Sequence, residues 1–481
     1  MKPVTKFLSP YLTDYPKVLA YMWQATDYKS DSFIKWWMRQ DDFRQTMKRG
    51  DLVRTMAART VRAMIGGIAL TYLLLNVLTI WYLRSDPLIL TVFVLLMVLT
   101  FPIIVALLTT IPISILRSFW LIPRESTRAK RATKIFASHP ATIIAVAGSY
   151  GKTTMKELLA QVIGGSKKVG YTEGNKNTVL SIANFAFRLK GDEEVIVVEF
   201  GEGSSGDIAK MTAMVQPDYA AVTGLAPNHL DGYTGLDDIA HDFTTLLMSV
   251  GQDKAFINGD SSELFTRLSI YARSYTKDGC LDRWPTMQKL AVDHTSFVLE
   301  GCDETLKITS GLIGEHNIAA LAFVAGFSRQ LGCKVKEIET AIAKTKPYEH
   351  RMEPRPFHGA WLIDDTYNGS IEGMKAGLAL LSELKTKGRK IYVTPGLVDQ
   401  GPLTESVHTE LGQMIAKSQP DLLYLMQNSV SSLIENSATK AGFKGEIKVM
   451  DEPLRFYQHL ENIVANGDIV MCQNDWPDNY S

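Results

Sequence analysis

The sequence predicts an α/β protein in three parts: an N-terminal two-helix transmembrane hairpin, a central domain built around a phosphate-binding loop (P-loop), and a Rossmann-like C-terminal α/β domain. Three observations carry this. Two long apolar stretches lie between residues 63 and 116. The run Thr142-Ile-Ile-Ala-Val-Ala-Gly-Ser-Tyr-Gly-Lys-Thr-Thr154 joins an apolar, β-branched strand to a helix start through two glycines. From about residue 136 onward, β-rich apolar runs alternate with helical patterns, which argues for largely parallel sheets.

Bulk properties narrow the class. A chain of 481 residues has room for three or so domains. Its 51 basic residues balance its 51 acidic ones, so no global charge points to nucleic acid. Cys280, Cys302, Cys333 and Cys472 are widely spaced, with no C-x-x-C. That argues against a zinc ribbon or a disulfide framework and fits a reducing compartment.

Residues 1–60 are too polar at the start for a cleaved signal peptide. They are rich in aromatic and charged side chains, among them Trp23, Trp36, Trp37, Lys48 and Arg49. Two readings stand side by side: short amphipathic helices at the cytoplasmic membrane surface, or an ordinary small helical subdomain. The hairpin is expected over 61–122, with spans at about 63–83 and 87–116. About 20 apolar residues cross a hydrocarbon core, and the second stretch is long enough to tilt or to kink at Pro102. Lys48, Arg49, Arg54, Arg59 and Arg62 precede the first span. Arg117, Arg124, Arg128, Lys130, Arg131 and Lys134 follow the second, and the turn between holds only Arg84 beside Asp86. The positive-inside rule places both ends in the cytoplasm, so everything after Ile122 is expected where ATP is.

The soluble part divides near Lys344–His350 into two expected α/β units, 136–346 and 347–481. Expected strands include Val195–Val198, Tyr219–Val222, Trp361–Ile363, Lys390–Val393 and Asp421–Leu425. A long helical pattern covers 315–344. The phosphate loop reads G-x-x-G-K-T-T, with Val146 where the standard motif has its first glycine. Backbone N–H groups from Gly148, Ser149, Gly151 and Thr154, together with the helix dipole, attract polyphosphate. Lys152 can reach the terminal phosphates and Thr153 can hold Mg²⁺. ATP and Mg²⁺ are the expected cofactors.

Four further clusters carry chemistry. Glu199 ends an apolar strand and is well placed for Mg²⁺. His229 and Asp231 follow another strand. Asn317 opens an Ala-rich helix, either as its cap or reading an adenine edge. Arg351 offers a fork for phosphate, Asp364 or Asp365 can take ribose hydroxyls, and Tyr367 and Asn368 sit on the turn that follows.

In this order, G-S-Y-G-K-T-T, E-F-G, N-H-L-D, G-E-H-N, H-R-M-E and D-D-T-Y-N resemble the Mur ligase family over roughly 140–415. The Asp-Asp-Thr-Tyr-Asn box, Met374, and the turn Gly174-Asn175-Lys176-Asn177 resemble most the branch that adds D-Ala-D-Ala to the muramyl tripeptide. The resemblance implies that ATP phosphorylates a substrate carboxylate and that an amine attacks the acyl phosphate. It implies Lys152, Glu199 and His229 as catalytic, and Thr153, Glu199 and His229 as metal ligands. Asn317, Arg351 and Asp365 would contact the nucleotide, and Asn175, Asn177, Tyr367 and Asn368 the substrate. Expected partners are a muramyl-peptide carboxylate, an amine such as D-Ala-D-Ala, the membrane and membrane-bound wall-synthesis enzymes, with no nucleic acid. The expected location is the bacterial inner membrane, with the catalytic domains cytoplasmic.

Three features depart from the family pattern. Phe243 stands where many relatives carry a carbamylated lysine, with His241 or Asp242 as substitutes. The hairpin occupies the place of a nucleotide-sugar-binding domain. The segment Cys472-Gln-Asn-Asp-Trp-Pro-Asp replaces the usual Lys-Gly-Ser. Three other readings follow: a ligase for a lipid-linked precursor, a poly-γ-glutamate-type or other amino-acid ligase, and a pseudoenzyme scaffold of wall synthesis.

Overall fold

The computed structural model describes residues 2–44, 46, 52–226, 233–301, 304–367, 369–397, 400, 403–451, 456 and 458–474. The chain divides into two compact units, Met1–Thr127 and Arg128–Ser481.

The first unit is helical: α1 (Lys2–Leu8), α2 (Tyr15–Ala25), α3 (Ser30–Arg39), α4 (Met56–Leu83) and α5 (Pro87–Leu116). Thr55 caps α4 by accepting the Ala58 N–H. Asp86 caps α5, with Pro87 in the first turn, where a missing N–H costs nothing. Tyr15, Val18, Leu19, Met22 and Trp23 share one core with Val61, Ile65, Val105 and Ile113. Trp23 Nε1 donates to Thr109 Oγ1 at 3.1 Å and the Tyr15 hydroxyl donates to the Pro102 carbonyl at 2.9 Å. Of the two readings of residues 1–60, this packing favours the subdomain, because the apolar face of α2 is spent on the two long helices. Beyond it the hairpin tip exposes Leu73, Leu74, Val77, Leu78, Trp81, Leu88, Leu95 and Leu96.

α6 (Ile122–Ser138) carries the chain onward. The next elements are β1 (Thr142–Ala147), α7 (Lys152–Gly164), β2 (Val169–Tyr171), α8 (Val179–Ala186), β3 (Val195–Glu199) and α9 (Asp207–Val215). They are followed by β4 (Tyr219–Val222), α10 (Leu236–Val250), β5 (Ala255–Asn258), α11 (Ser262–Leu268) and β6 (Arg273–Tyr275). The strands form one sheet in the order β2-β3-β1-β4-β5-β6, every pair parallel. Every residue of β3 is buried, which explains why it reads as a continuous apolar run rather than an alternation. Ile182, Ile208, Phe243 and Leu247 cover one face, and Leu159, Ile163, Phe256 and Phe323 the other. β1 lies between β3 and β4, where the strand order reverses, so the crevice at its carboxyl end is the expected ligand position.

An antiparallel sheet follows, which the parallel-sheet expectation does not contain: β7 (Arg283–Leu290), β8 (Thr295–Gly301) and β9 (Thr305–Ser310). Its β9 alternates exposed and buried residues, as a sheet with one wet face does. The helical pattern over 315–344 proves to be two helices, α12 (Ile318–Gln330) and α13 (Val335–Ala343). Between them Gly332 takes a left-handed turn with φ +86°, which ends the first helix.

The remaining elements are β10 (Glu353–Phe357), β11 (Ala360–Asp365), α14 (Ile371–Glu383), β12 (Lys390–Thr394) and α15 (Thr404–Ser418). After them come β13 (Leu422–Met426), α16 (Ser431–Lys440), β14 (Glu446–Met450) and β15 (Ile469–Gln473). The sheet order is β10-β11-β15-β12-β13-β14, parallel throughout except for β10. Ile313, just before α12, packs into the core of this sheet with Met374, Leu380 and Leu381 of α14.

Candidate active site

The phosphate loop is shaped by its glycines. Gly148 has φ +134° and Gly151 φ +76°, conformations that favour glycine. A Cβ on Gly148 would lie 2.5 Å from Thr223 Oγ1 and 2.9 Å from the Gly224 nitrogen. The segment that follows β4 therefore approaches the loop too closely for any other residue. The Ser149 N–H donates to the Gly224 carbonyl at 2.8 Å, which corrects the expectation that it faces phosphate. α7 begins at Lys152, and the Met155 N–H already donates to the Gly151 carbonyl. The amides of Lys152, Thr153 and Thr154 are the first-turn donors, without intrahelical partners. The Lys152 ammonium donates to the Gly148 carbonyl and to both oxygens of Glu202, at 2.9 and 3.1 Å.

Glu199 sits at the carboxyl end of β3 and is 1% exposed. Its Oε1 accepts from the Asn177 amide at 3.0 Å and from the Thr153 hydroxyl at 3.3 Å. Its Oε2 lies 3.3 Å from the fully buried ammonium of Lys156 yet makes no hydrogen bond; the two are close enough to attract but poorly aligned. Lys156 donates instead to the Gly174 carbonyl at 2.6 Å. Asn177 is thus turned toward Glu199, and its backbone carbonyl accepts from the Gly201 N–H, so it braces the Glu-Phe-Gly loop. Asn175 is exposed.

Of the two proposed substitutes for the family lysine, Asp242 is already engaged by its own neighbours. Phe243 is fully buried in the core. Asp242 accepts from the backbone of Gly206 and Ile208 and from the Tyr233 hydroxyl at 2.9 Å, which caps α9. Burial raises its carboxyl above the ordinary carboxylate range. His241 is exposed. His229, Asp231 and Asn368 lie outside the described residues.

Asn317 does not cap α12 through its side chain. Its Nδ2 donates to the Ile313 carbonyl at 2.8 Å and meets His316 Nε2 at 3.1 Å. The His316 side chain is itself exposed, and in the neutral ring its Nε2 can accept. Both amide hydrogens are then committed, and only the Asn317 oxygen remains for a ligand.

On the C-terminal sheet, Asp365 ends β11. Its oxygens accept from the Met352 N–H at 3.1 Å and from Gln473 Nε2 at 2.7 Å. Burial pushes its carboxyl up to about 6, against the pull of these bonds and of Arg351. Asp364 is engaged elsewhere, by His350 Nδ1 at 2.9 Å, Arg355 and the Thr366 hydroxyl, which leaves Asp365 as the ribose candidate. The bond to Asp364 raises His350 above the ordinary imidazole value. Arg351 lies over the Tyr367 ring at 4.8 Å, and its buried Nε has no hydrogen-bond partner. Sequence reasoning missed Lys156, Glu202 and Gln473. The first two sit within a turn of named motif residues, which is a usable signal; Gln473 has none.

Residues 146–327 match the Mur ligase middle domain, and residues 350–473 match the Mur ligase, glutamate ligase domain. The UDP-N-acetylmuramoyl-tripeptide–D-alanyl-D-alanine ligase of Bacillus subtilis is 24% identical over 356 residues, covering 73% of this chain and 77% of that protein. The Escherichia coli protein of the same name is 26% identical over 281 residues, covering 57% of this chain and 62% of that one. Among solved structures, MurF from Acinetobacter baumannii superposes with a TM-score of 0.64 at 20% identity, over 73% of this chain and 77% of its own. MurF ligase from Thermotoga maritima in complex with ADP does so with a TM-score of 0.63 at 24% identity, over 73% and 80%. The same α/β architecture, the glycine-shaped loop ahead of α7 and two matching domain models establish that the chain belongs to the Mur ligase family.

Proposed function

We propose that the chain is an ATP-dependent amide ligase of peptidoglycan precursor synthesis, joining D-Ala-D-Ala, as in the names of its relatives, to a muramyl-tripeptide carboxylate. The observation that carries this reading is the setting of Glu199. A fully buried carboxylate beside the phosphate loop keeps one oxygen without a hydrogen bond, with the Lys156 ammonium 3.3 Å away as its neighbouring charge, and an acceptor left open in this way can take a metal cation. The hard oxygens of Glu199 and Thr153 suit Mg²⁺. Bound there, Mg²⁺ would supply charge neutralisation at the phosphates.

The remaining work falls to the chain's own groups. The first-turn amides of α7 receive phosphate oxygens. Lys152 exchanges part of its contact with Glu202 for the transferring phosphoryl group, whose developing charge it stabilises. The Asn317 oxygen accepts from the adenine amino group. Asp365 accepts from ribose hydroxyls, and the Arg351 guanidinium, with an unused buried N–H, turns toward phosphate. The substrate carboxylate bonds to the terminal phosphorus as the bond to the ADP oxygen breaks, and the amine then attacks the acyl carbon, loses a proton, and expels phosphate as the amide bond forms.

The test is ADP release and amide product from full-length protein in detergent, with ATP, Mg²⁺, UDP-muramyl-tripeptide and D-Ala-D-Ala, and Lys152→Ala as control. Product that is absent from the control supports the reading. No ATP turnover under any acceptor would sink it. A second reading, a lipid-linked acceptor, is favoured by the exposed apolar tip of α4 and α5. Its mark is Lys152-dependent turnover with membrane lipid extracts and none with the UDP-linked tripeptide.

The same tip supports anchoring in the bacterial inner membrane, with the nucleotide site on the cytoplasmic side. Two helices here are long and apolar enough to cross. A Ser85→Cys variant should react with a membrane-impermeant maleimide from the outer face of spheroplasts. Reaction only after lysis would refute this topology.

A further inference from the structure

Gln473 is fully buried at the carboxyl end of β15, the strand that separates β11 from β12. Both of its amide hydrogens are spent. Nε2 donates to Asp365 Oδ2 at 2.7 Å and to the Gly373 carbonyl at 3.0 Å. Oε1 accepts from the Tyr392 hydroxyl at 2.9 Å, and Tyr392 is itself fully buried. Flipping the amide would set its oxygen against two acceptors, so the orientation is fixed by the network. The site is also built sterically: a Cβ on Gly377 of α14 would lie 2.3 Å from Gln473 Nε2. The helix can approach only because that residue is glycine.

We propose that Gln473 is a positioning residue, whose amide aims the Asp365 carboxylate at the nucleotide ribose. This rests on the reading of Asp365 given above and deepens it. One Asp365 oxygen is held by the Met352 N–H and the other by Gln473, so the carboxylate plane is fixed from two sides. Each oxygen retains a lone pair for a hydroxyl. The charged and titratable groups around Asp365 are Arg351, which favours its ionised form, and Asp364, which opposes it. Tyr392 of β12 interacts with it as well. Burial already holds this carboxyl at about 6. Without the Gln473 donor, ionisation becomes harder still.

The experiment titrates full-length protein in detergent with Mg-ATP, from pH 5.5 to 8.5. Wild type should lose affinity below about pH 6, as Asp365 takes up its proton. Gln473→Glu is nearly isosteric, replaces the donor with an acceptor, and should weaken ATP binding at least ~10-fold at pH 7.5. Its acid limb should move up by about one pH unit or more, with kcat at saturating ATP largely kept. Gln473→Met removes the donor without adding a charge and should move the limb in the same direction, whereas a merely structural role would leave the limb of this variant in place. Tyr392→Phe retains the donor to Asp365 and should shift the limb little; it keeps the test open if Gln473→Glu does not fold. Asp365→Asn separates the two layers. If it weakens ATP binding while Gln473→Glu leaves both affinity and limb unchanged, the positioning role falls and the ribose reading stands. If Asp365→Asn leaves ATP affinity unchanged, the ribose reading falls, and the role of Gln473 with it.

Discussion

The carboxyl edges of the two parallel sheets carry the same kind of group and treat it in opposite ways. At the central edge, Glu199 is buried beside Lys156 and keeps one oxygen without a hydrogen bond, while Lys152 and Glu202 face each other nearly out of water. At the C-terminal edge, Asp365 has both oxygens satisfied by neutral donors, and no ion pair reaches it among the described residues. The first edge holds charge in excess of its hydrogen bonds, an arrangement that ligand ions complete. The second holds a carboxylate whose direction is set before any ligand arrives. One edge is built for neutralisation and the other for aim.

Breaking the central edge should have the largest effect. Lys152→Ala should cut ATP turnover by ~10²–10³-fold, the usual loss for one preorganised donor at developing charge. It also strands Glu202 without its partner, so the double variant Lys152→Ala/Glu202→Gln should regain stability and no activity. A double variant no more stable than the single one would contradict a charge-balanced edge. Next comes Gly148→Ala, whose Cβ would meet Thr223, just after β4, at 2.5 Å. It should cost about 2–3 kcal/mol in denaturant unfolding. Gly151→Ala, where the nearest contact is 3.5 Å, should cost only the backbone strain, about 1 kcal/mol.

At the C-terminal edge, Gly377→Ala should cost about 1–2 kcal/mol by displacing Gln473, and should weaken ATP binding while leaving Lys152-dependent chemistry intact at saturation. Equal losses in kcat and affinity would blur the division between the edges. The smallest effect is electrostatic. Asp365 holds its proton to about pH 6 in the folded protein, against about 3.9 when unfolded. Between those values the folded state binds the extra proton, so its contribution to stability is lost as pH rises through that window. Melting temperatures from pH 4 to 6.5 should therefore slope less for Asp365→Asn than for wild type. Identical slopes would show that the carboxyl is not buried as described.

What was legible in the sequence follows the same division. The phosphate loop, Thr153 and Glu199 could be read because strand, turn and helix are contiguous, and because a carboxylate ending an apolar run must sit at a sheet edge. Arg351, just before β10, and Asp365, at the end of β11, followed from the resemblance of two short motifs to the family, where the residues alone left Asp364 and Asp365 both open. The partners that fix these groups were not legible, because folding brings them from far away: Asn177 reaches Glu199 across 22 residues and Gln473 reaches Asp365 across 108. Ser149 was misread for the same reason, since only the approach of β4 shows that its N–H is taken by Gly224. The long helix over 315–344 was misjudged through one glycine, and the antiparallel β7–β9 sheet because parallel and antiparallel strands share composition.

The position of β15 has a kinetic consequence. It is the last strand among the described residues, yet it pairs with β11 and β12 on either side. About 75 residues separate β12 from β15, so β11 and β12 have to wait, unpaired along facing edges, until it threads between them. Such non-local closure is slow, and waiting edges invite intermolecular pairing. The aggregation hazard of this protein during refolding should thus centre on that gap. A peptide copying Ile469–Gln473, added during refolding, would compete for it and lower the yield.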